Sequence, residues 1–447
     1  MTQQLPFTTA PAGLFRSVPA AMLGAVLFGA LPSGAPVAAQ QPPAVEAAPG
    51  ALTDALREQR RTLRLEDGRL SGDGADLLLG EGRASQFFLL GEEHGVAEVP
   101  QLAAALFRAL NGHGYRYLAI ETGDGLATSL DSLARQPDPL AALTSWYAAH
   151  WPGAPFYTLR EEATLLVDAV AASPATPALW GLDYDILADR HALSRLRALA
   201  ETDVQRGAVD RTVAVADSLF RLAMEQRNPG HVLMFGGPDA VLAELRRAWP
   251  PEPESEAARI VSLLEATRRI NAHWARGGAL ESNAERAKWN KRQFARHWEA
   301  AVARDGLPPR VMLKFGANHM MRGRTLTDVY DLGNQVAELA EWSGGRSFHV
   351  LVMAGDATDH AVLDPTVMMY RPAPSGFQAA AWARPFFEAA SDADWTVYDL
   401  RPIRAMASQR RFGTLSGALD KVVWGFDAVV VLTGSRPSTM LPVERPW

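Results

Sequence analysis

The stretch Phe87-Phe88-Leu89-Leu90-Gly91-Glu92-Glu93-His94-Gly95 decides how this chain is read. Four apolar residues in a row read as a strand buried on both faces. The run stops at a glycine, and two carboxylates and an imidazole follow at once. In open α/β sheets ligands bind beyond the carboxyl ends of the strands, so ionisable side chains placed there are candidates for chemistry. Gly91 and Gly95 let the backbone turn tightly and let a ligand come close. Packing alone gives no reason for three ionisable side chains at this point. A cluster that caps the next helix is the bland alternative.

Outward from this stretch, short runs rich in Val, Ile, Leu and Phe recur at 115–120, 178–182, 231–235, 310–315, 348–353, 396–400 and 428–432. With 86–90 itself they read as buried strands. Helical patterns lie between them. Leu102, Ala105, Leu106, Ala109 and Leu110 keep helical spacing, and Asn111-Gly112 supplies a stop. Thr158 with Glu161, and Ser282 with Glu285, match the capping-box pattern at two further helix starts. Alternation of strand and helix predicts an α/β fold with a mainly parallel sheet flanked by helices. Residues 186–304 read as a helical insertion that encloses one strand, 231–235.

The strand ends carry the polar residues. Tyr117-Leu118-Ala119-Ile120 ends in Glu121. If this strand neighbours the first, as connected strands usually do, Glu121 falls beside His94. Leu179-Trp180-Gly181-Leu182 ends in Asp183-Tyr184-Asp185. Far along the chain, Val311-Met312-Leu313-Lys314-Phe315 runs into Gly316-Ala317-Asn318-His319, which repeats the Gly-x-x-His spacing of Gly91 to His94. A single histidine after a strand is usually structural, whereas two in the same context read as a convergent pair. Two arrangements fit this spacing equally. The two histidines, with Glu and Asp nearby, can hold a divalent ion with one position left for water. Alternatively, His94 acts as a metal-free general base oriented by Glu121 or Glu93. The candidate catalytic set is therefore His94, Glu92, Glu93, Glu121, Asp183 and His319.

Arg322 and Arg286 are candidates for binding a substrate's carboxylate or oxyanion, although exposed arginines are common. Arg286 shares a helical face with Asn290, Gln293 and His297, and a solvated face is the plainer account of that pattern. His113, His150, His191, His273, His349 and His360 receive no role.

Composition narrows the function classes. Hydrophobic content of 48% and charged content of 21% are those of an ordinary globular protein. A formal net charge of −6 gives no reason to expect nucleic acid or an anionic membrane as partner. The chain has no cysteine, which excludes disulfides, thiolate nucleophiles and Cys-ligated zinc. At the N-terminus Arg16 precedes an apolar stretch, 18–31, that is shorter than the ~20 residues of a membrane span. Val37-Ala38-Ala39 then fits the small-x-small rule of signal peptidase. These features predict a signal peptide over 1–39, cleavage near Ala39, a Pro/Ala-rich linker over 40–50, one domain over 51–447, and a periplasmic or secreted location. The substrate implied is a small molecule or a peptide, with no membrane span in the mature chain.

Paired Gly-x-x-His turns with a strand-end glutamate resemble the superfamily that unites erythromycin esterases, haem-binding ChaN proteins and Tiki/TraB-type proteases. Leu90-Gly91-Glu92-Glu93-His94-Gly95 is similar to the opening motif of the erythromycin esterases. Ala119-Ile120-Glu121 resembles their second strand, and Leu179 to Asp183 their Gly-x-Asp strand. Lys314 to His319 resembles their late histidine segment, and Phe426 to Val430 their closing strand. Two departures stand out: one residue separates Glu92 from His94, as in the ChaN-like and Tiki-like pattern, and Asn318 directly precedes His319. For the esterase branch the resemblance implies a histidine base acting on water and supported by carboxylates. For the Tiki branch it implies zinc or manganese held by His94, His319 and Glu121. For the ChaN branch it implies haem bound through His or Tyr ligands for iron uptake. An exported hydrolase cleaving an ester or amide is the first reading, and a haem-binding protein or a Tiki-like metalloprotease is the alternative.

Overall fold

The structure is a computed structural model, which describes residues 50–443. The expected signal peptide, 1–39, and all of the linker but Gly50 lie outside the described residues.

Eleven strands follow in chain order: β1 (Arg60–Glu66), β2 (Arg69–Ser71), β3 (Phe87–Glu92), β4 (Tyr115–Ile120), β5 (Leu179–Gly181), β6 (Arg310–Gly316), β7 (Ser347–Ala354), β8 (Asp359–Asp364), β9 (Met369–Pro374), β10 (Trp395–Asp399) and β11 (Ala428–Leu432). Nine of them form one sheet in the order β2-β1-β10-β11-β7-β3-β6-β4-β5, while β8 and β9 pair as a separate hairpin. From β11 to β5 all neighbours are parallel, and β10, β1 and β2 extend the sheet as an antiparallel edge. The fold class is the expected one, an α/β sheet covered by helices.

Side-chain alternation along β3 explains the two layers. Phe88 and Leu90 enter one core, built with the helices Glu98–Asn111, Asp124–Ala134 and Arg160–Ala172. Phe87 and Leu89 enter the other, shared with Ala279–Asp305, Leu332–Trp342 and Gly417–Gly425. All four are fully buried, as an unbroken apolar run requires.

Several local expectations are corrected. Residues 231–235 are not a strand: Pro229–His231 is a 3-10 turn and Leu233–Gly236 a short helix. Leu233 and Met234 instead pack in a third core among the inserted helices. A short apolar run has no periodicity long enough to separate a strand from a buried helical turn. The described stretch between β5 and β6 is thus helical without a strand. Neither capping box forms. Leu159 caps the helix Arg160–Ala172 while Glu161 accepts from Thr439. Ser282 lies inside the helix Ala279–Asp305 and donates to the Ile270 carbonyl. The strands β1, β2, β8 and β9 were not expected; apart from Leu63 and Ala361 their residues are exposed or half-buried, with no apolar run to mark them.

β4 is not the neighbour of β3. β6 lies between them, pairing with both. That inserted strand brings the second Gly-x-x-His segment into the middle of the sheet's carboxyl edge.

Candidate active site

The site is built where β3, β4, β5 and β6 end. His94 follows β3, and its Nδ1 lies 2.9 Å from Glu92 Oε1. Its Nε2 faces Glu121 Oε2 at 3.4 Å. Glu121 reaches His94 across β6 because residue 316 has no side chain; a Cβ built there would stand 3.0 Å from His94 Nε2 and 3.4 Å from Glu121 Oε2. The Gly316 amide donates to Glu121 Oε2 at 2.5 Å. His319, one turn further on, holds Asp331 at 2.8 Å through Nδ1 and faces Glu121 Oε1 at 3.6 Å through Nε2. One carboxylate therefore stands between the two histidines.

Arg286 enters from the helix Ala279–Asp305. It donates to Glu121 Oε1 at 2.6 Å and grips Asp183 through Nε, 3.0 Å from Oδ1, and through a second bond to Oδ2. Trp289, on the same helix, donates to the Asp183 carbonyl at 3.1 Å. Asp183 is therefore tied to the inserted helix and acts on the site through Arg286. Of the helical face picked out in sequence, His297 pairs instead with Asp124 and stacks on Trp180, and Gln293 accepts from Arg296.

Two candidates stand elsewhere. Glu93, pointing oppositely to Glu92, accepts from Ser375 Oγ and from the Gly376 amide, each at 2.5 Å. It does not orient His94, because successive residues of an extended chain face opposite ways. Arg322 bonds Asp427 and the Ser347 carbonyl, at the amino ends of β11 and β7, on the opposite edge of the sheet from the histidines. No substrate reaches it from this cavity.

Several participants were missed. Lys314, on β6, is buried and donates to Glu92 Oε1 at 2.6 Å and to Glu162 Oε1 at 2.7 Å. A lysine inside an apolar strand demands a buried anion, and that was the available signal. Asp331, Phe156 and His360 had none, since each comes from a loop or hairpin remote in sequence. The Phe156 ring stacks on His94 with centroids 3.9 Å apart. His360 Nδ1 donates to the His94 carbonyl at 2.7 Å.

The electrostatics follow from these contacts. Burial opposes a charge on His94, but Glu121 and then Glu92 outweigh it and push its pKa up to about 10. Burial likewise pushes Glu121 up, yet His94, then Arg286 and His319, hold it well below the usual carboxylate range. His319 is raised, with Asp331 overcoming burial. Burial, and the charge of Glu92 beside it, lift Glu162 to about 7 against the opposing pull of Lys314. At neutral pH His94 therefore rests as an imidazolium between two carboxylates.

The metal and haem expectations can be tested on these donors. Both ring nitrogens of His94 and both of His319 already face carboxylates. Both oxygens of Glu121 accept hydrogen bonds, one of them from a guanidinium whose charge opposes a cation. Among the described residues no three His, Asp or Glu side chains are grouped to hold a metal. In this arrangement His94, His319 and Glu121 do not fit a divalent ion, and neither histidine offers a free nitrogen for an axial bond to haem iron.

The fold has known counterparts. A His-to-Asn mutant of erythromycin esterase EreC in its open conformation matches 86% of this chain and 99% of its own, with a TM-score of 0.57 at 16% identity. A Bacillus cereus protein matches 87% and 98%, with a TM-score of 0.53 at 14% identity. A succinoglycan biosynthesis protein also matches 87% and 98%, with a TM-score of 0.52 at 14% identity. No family model and no curated protein matches the sequence. At these identities the likeness shows a shared fold, which is the one the sequence resemblance implied.

Proposed function

We propose that the protein is a hydrolase that cleaves an ester or amide, with His94 as the base that activates water. The observation that carries this reading is the clamped imidazole: His94 is held by Glu92 on one nitrogen and faces Glu121 and the cavity with the other. A base gains basicity from a carboxylate behind it, and its orientation comes without cost at the moment of reaction. Once His94 is neutral, its Nε2 takes a proton from water as the hydroxide adds to the carbonyl carbon. The oxyanion forms beside the guanidinium of Arg286, with the His319 ring nearby. As the intermediate collapses and its C–O or C–N bond breaks, His94 returns that proton to the leaving oxygen or nitrogen, leaving an acid and an alcohol or amine. The structural likeness to an esterase is consistent with this class.

A pH–rate profile tests it, measured on a chromogenic ester. The base must be deprotonated, so kcat/KM is expected to rise with pH towards the His94 value of about 10. Glu121→Gln removes the largest effect raising that value and is expected to move the rising limb to lower pH. His94→Ala and His319→Ala are each expected to lose a factor of about 10² or more while the protein stays folded. Near-normal turnover in His94→Ala would end this assignment.

A further inference from the structure

The cavity at the site has two chambers, and they share His94, Glu121, Phe156, Arg286 and Leu363. The first, about 550 Å³, runs under the inserted helices. Phe156, Tyr184, Phe235, Trp274, Leu363 and Met368 give it an aromatic and aliphatic wall. Beyond the shared His94 and Glu121, its ionisable side chains are tied to protein partners: Asp183 to Arg286, and Asp185 to the Thr122 hydroxyl and the Gly123 amide. Trp274, 59% exposed, extends that wall at the rim.

The second chamber, about 680 Å³, lies under the β8–β9 hairpin and the segment that follows it. It mixes Phe377 and Trp382 with polar groups, namely Glu93, Asn318, His360 and Tyr370. Asn318, beside His319, brings a side-chain amide to its wall.

Phe156 is the partition. Its ring lies flat on His94 and borders both chambers. It is held in a left-handed backbone conformation, φ 71°, that costs a non-glycine residue energy. Its amide is pinned to Tyr370 Oη at 2.5 Å. Strain kept at a cavity wall by specific contacts points to a functional constraint.

We infer that the substrate is a two-armed ester or amide: an apolar, ring-bearing arm fills the first chamber, a hydroxyl- or amine-bearing arm fills the second, and the scissile bond lies at Phe156 and His94. This rests on the hydrolytic reading above and adds the substrate class. Water attack follows the balance already given, and the two products separate into different chambers.

The test uses small esters with one or both arms. The glyceryl ester of phenylpropanoic acid and its mirror, phenylpropyl glycerate, carry both; ethyl phenylpropanoate and glyceryl acetate carry one each. The better of the two-armed esters is expected to exceed both one-armed esters by at least about tenfold in kcat/KM. Trp274→Ala is expected to lower the ratio of kcat/KM for ethyl phenylpropanoate over glyceryl acetate by about tenfold, and Asn318→Ala to raise it by a similar factor. Equal kcat/KM for one-armed and two-armed esters, or an unmoved ratio in both variants, overturns the inference. Binding separates it from the hydrolytic reading. Glyceryl phenylpropyl ether, which cannot be hydrolysed, is compared by calorimetry with ethyl phenylpropyl ether and glyceryl ethyl ether. If no ester is cleaved, the hydrolase assignment fails. The two chambers then stand if the two-armed ether binds at least about tenfold tighter than either one-armed ether, and fall if the three bind alike.

Discussion

Gly316 has a φ of −52°, which alanine adopts without backbone strain, yet the site depends on the space above it. A Cβ there would press on the His94 ring at 3.0 Å, closer than ordinary van der Waals contact, and lie between that ring and Glu121. The pair has to part by a few tenths of an ångström to admit it. Small displacements at a reacting centre are costly in rate and cheap in stability. Gly316→Ala is therefore expected to lower kcat/KM about tenfold with a melting temperature within a few degrees of the parent. Steady-state kinetics beside a thermal melt decide it, and unchanged turnover would show that the His94–Glu121 contact is not used. The same residue shows what was hidden in the sequence. Gly316 was legible as the end of a strand, and its role as a window between two other strands was not.

At the scale of elements, the long helix Ala279–Asp305 is what closes the site. Its Arg286 and Trp289 attach the inserted helices to the end of β5 through Asp183. The Arg286 side chain is 22% exposed, whereas Glu121 and Asp183 are 5% and 3% exposed, so removing the guanidinium leaves two buried anions. Breaking a buried pair by deleting one partner costs roughly 3–5 kcal/mol, and the partial exposure of Arg286 argues for the lower figure. Arg286→Leu is expected to lose about 3 kcal/mol in urea unfolding with an unchanged denaturant slope, and Arg286→Leu with Asp183→Leu to recover part of it. A single variant as stable as the parent would mean that solvent already satisfies those carboxylates. In sequence, Arg286 looked like one member of a polar helical face. A helical wheel gives a direction but not the neighbour the face meets.

Over the whole molecule, the histidines divide the pH response. His349 sits inside β7, fully buried, donating to the Met320 carbonyl and facing Ser347 Oγ. Burial, with Arg322, lowers it from 6.5 to about 3. A histidine kept neutral in the fold but free to charge when unfolded contributes stability above pH 6.5, and that stability drains away as pH falls from 6.5 to about 3. His94 has the opposite sign: raised to about 10, it stabilises below 6.5 and loses that contribution as pH climbs towards 10. The melting temperature is expected to fall on both sides, and His349→Asn to flatten the acid side relative to the parent at some cost near neutrality. Parallel acid limbs in the two proteins would assign that loss to carboxylates such as Asp427 instead. The location of the chain is a separate matter, carried by residues 1–39. N-terminal sequencing of protein from its native host is expected to begin near Gln40, and an intact leader on cytoplasmic protein would refute export.

Local physics was enough to read the central sheet. The runs that became β3, β4, β6, β7 and β11 are buried on both faces over most of their length, and a strand of that kind is mainly apolar, whatever surrounds it. The same physics marked His94, Glu121, Asp183 and His319, because polar groups directly after such strands gain nothing from packing. Strand order was beyond it. Placing β6 between β3 and β4 depends on how a helical layer folds back onto the sheet, and no residue in any of the three strands records that choice. Partners drawn from distant segments were equally out of reach: Glu162 and Lys314, Asp331 and His319, Phe156 and His94 meet only after the chain has closed. Burial is written into each residue's chemistry, whereas proximity between remote residues is a property of the packed whole, and the pairing that clamps His94 between two carboxylates belongs to the second kind.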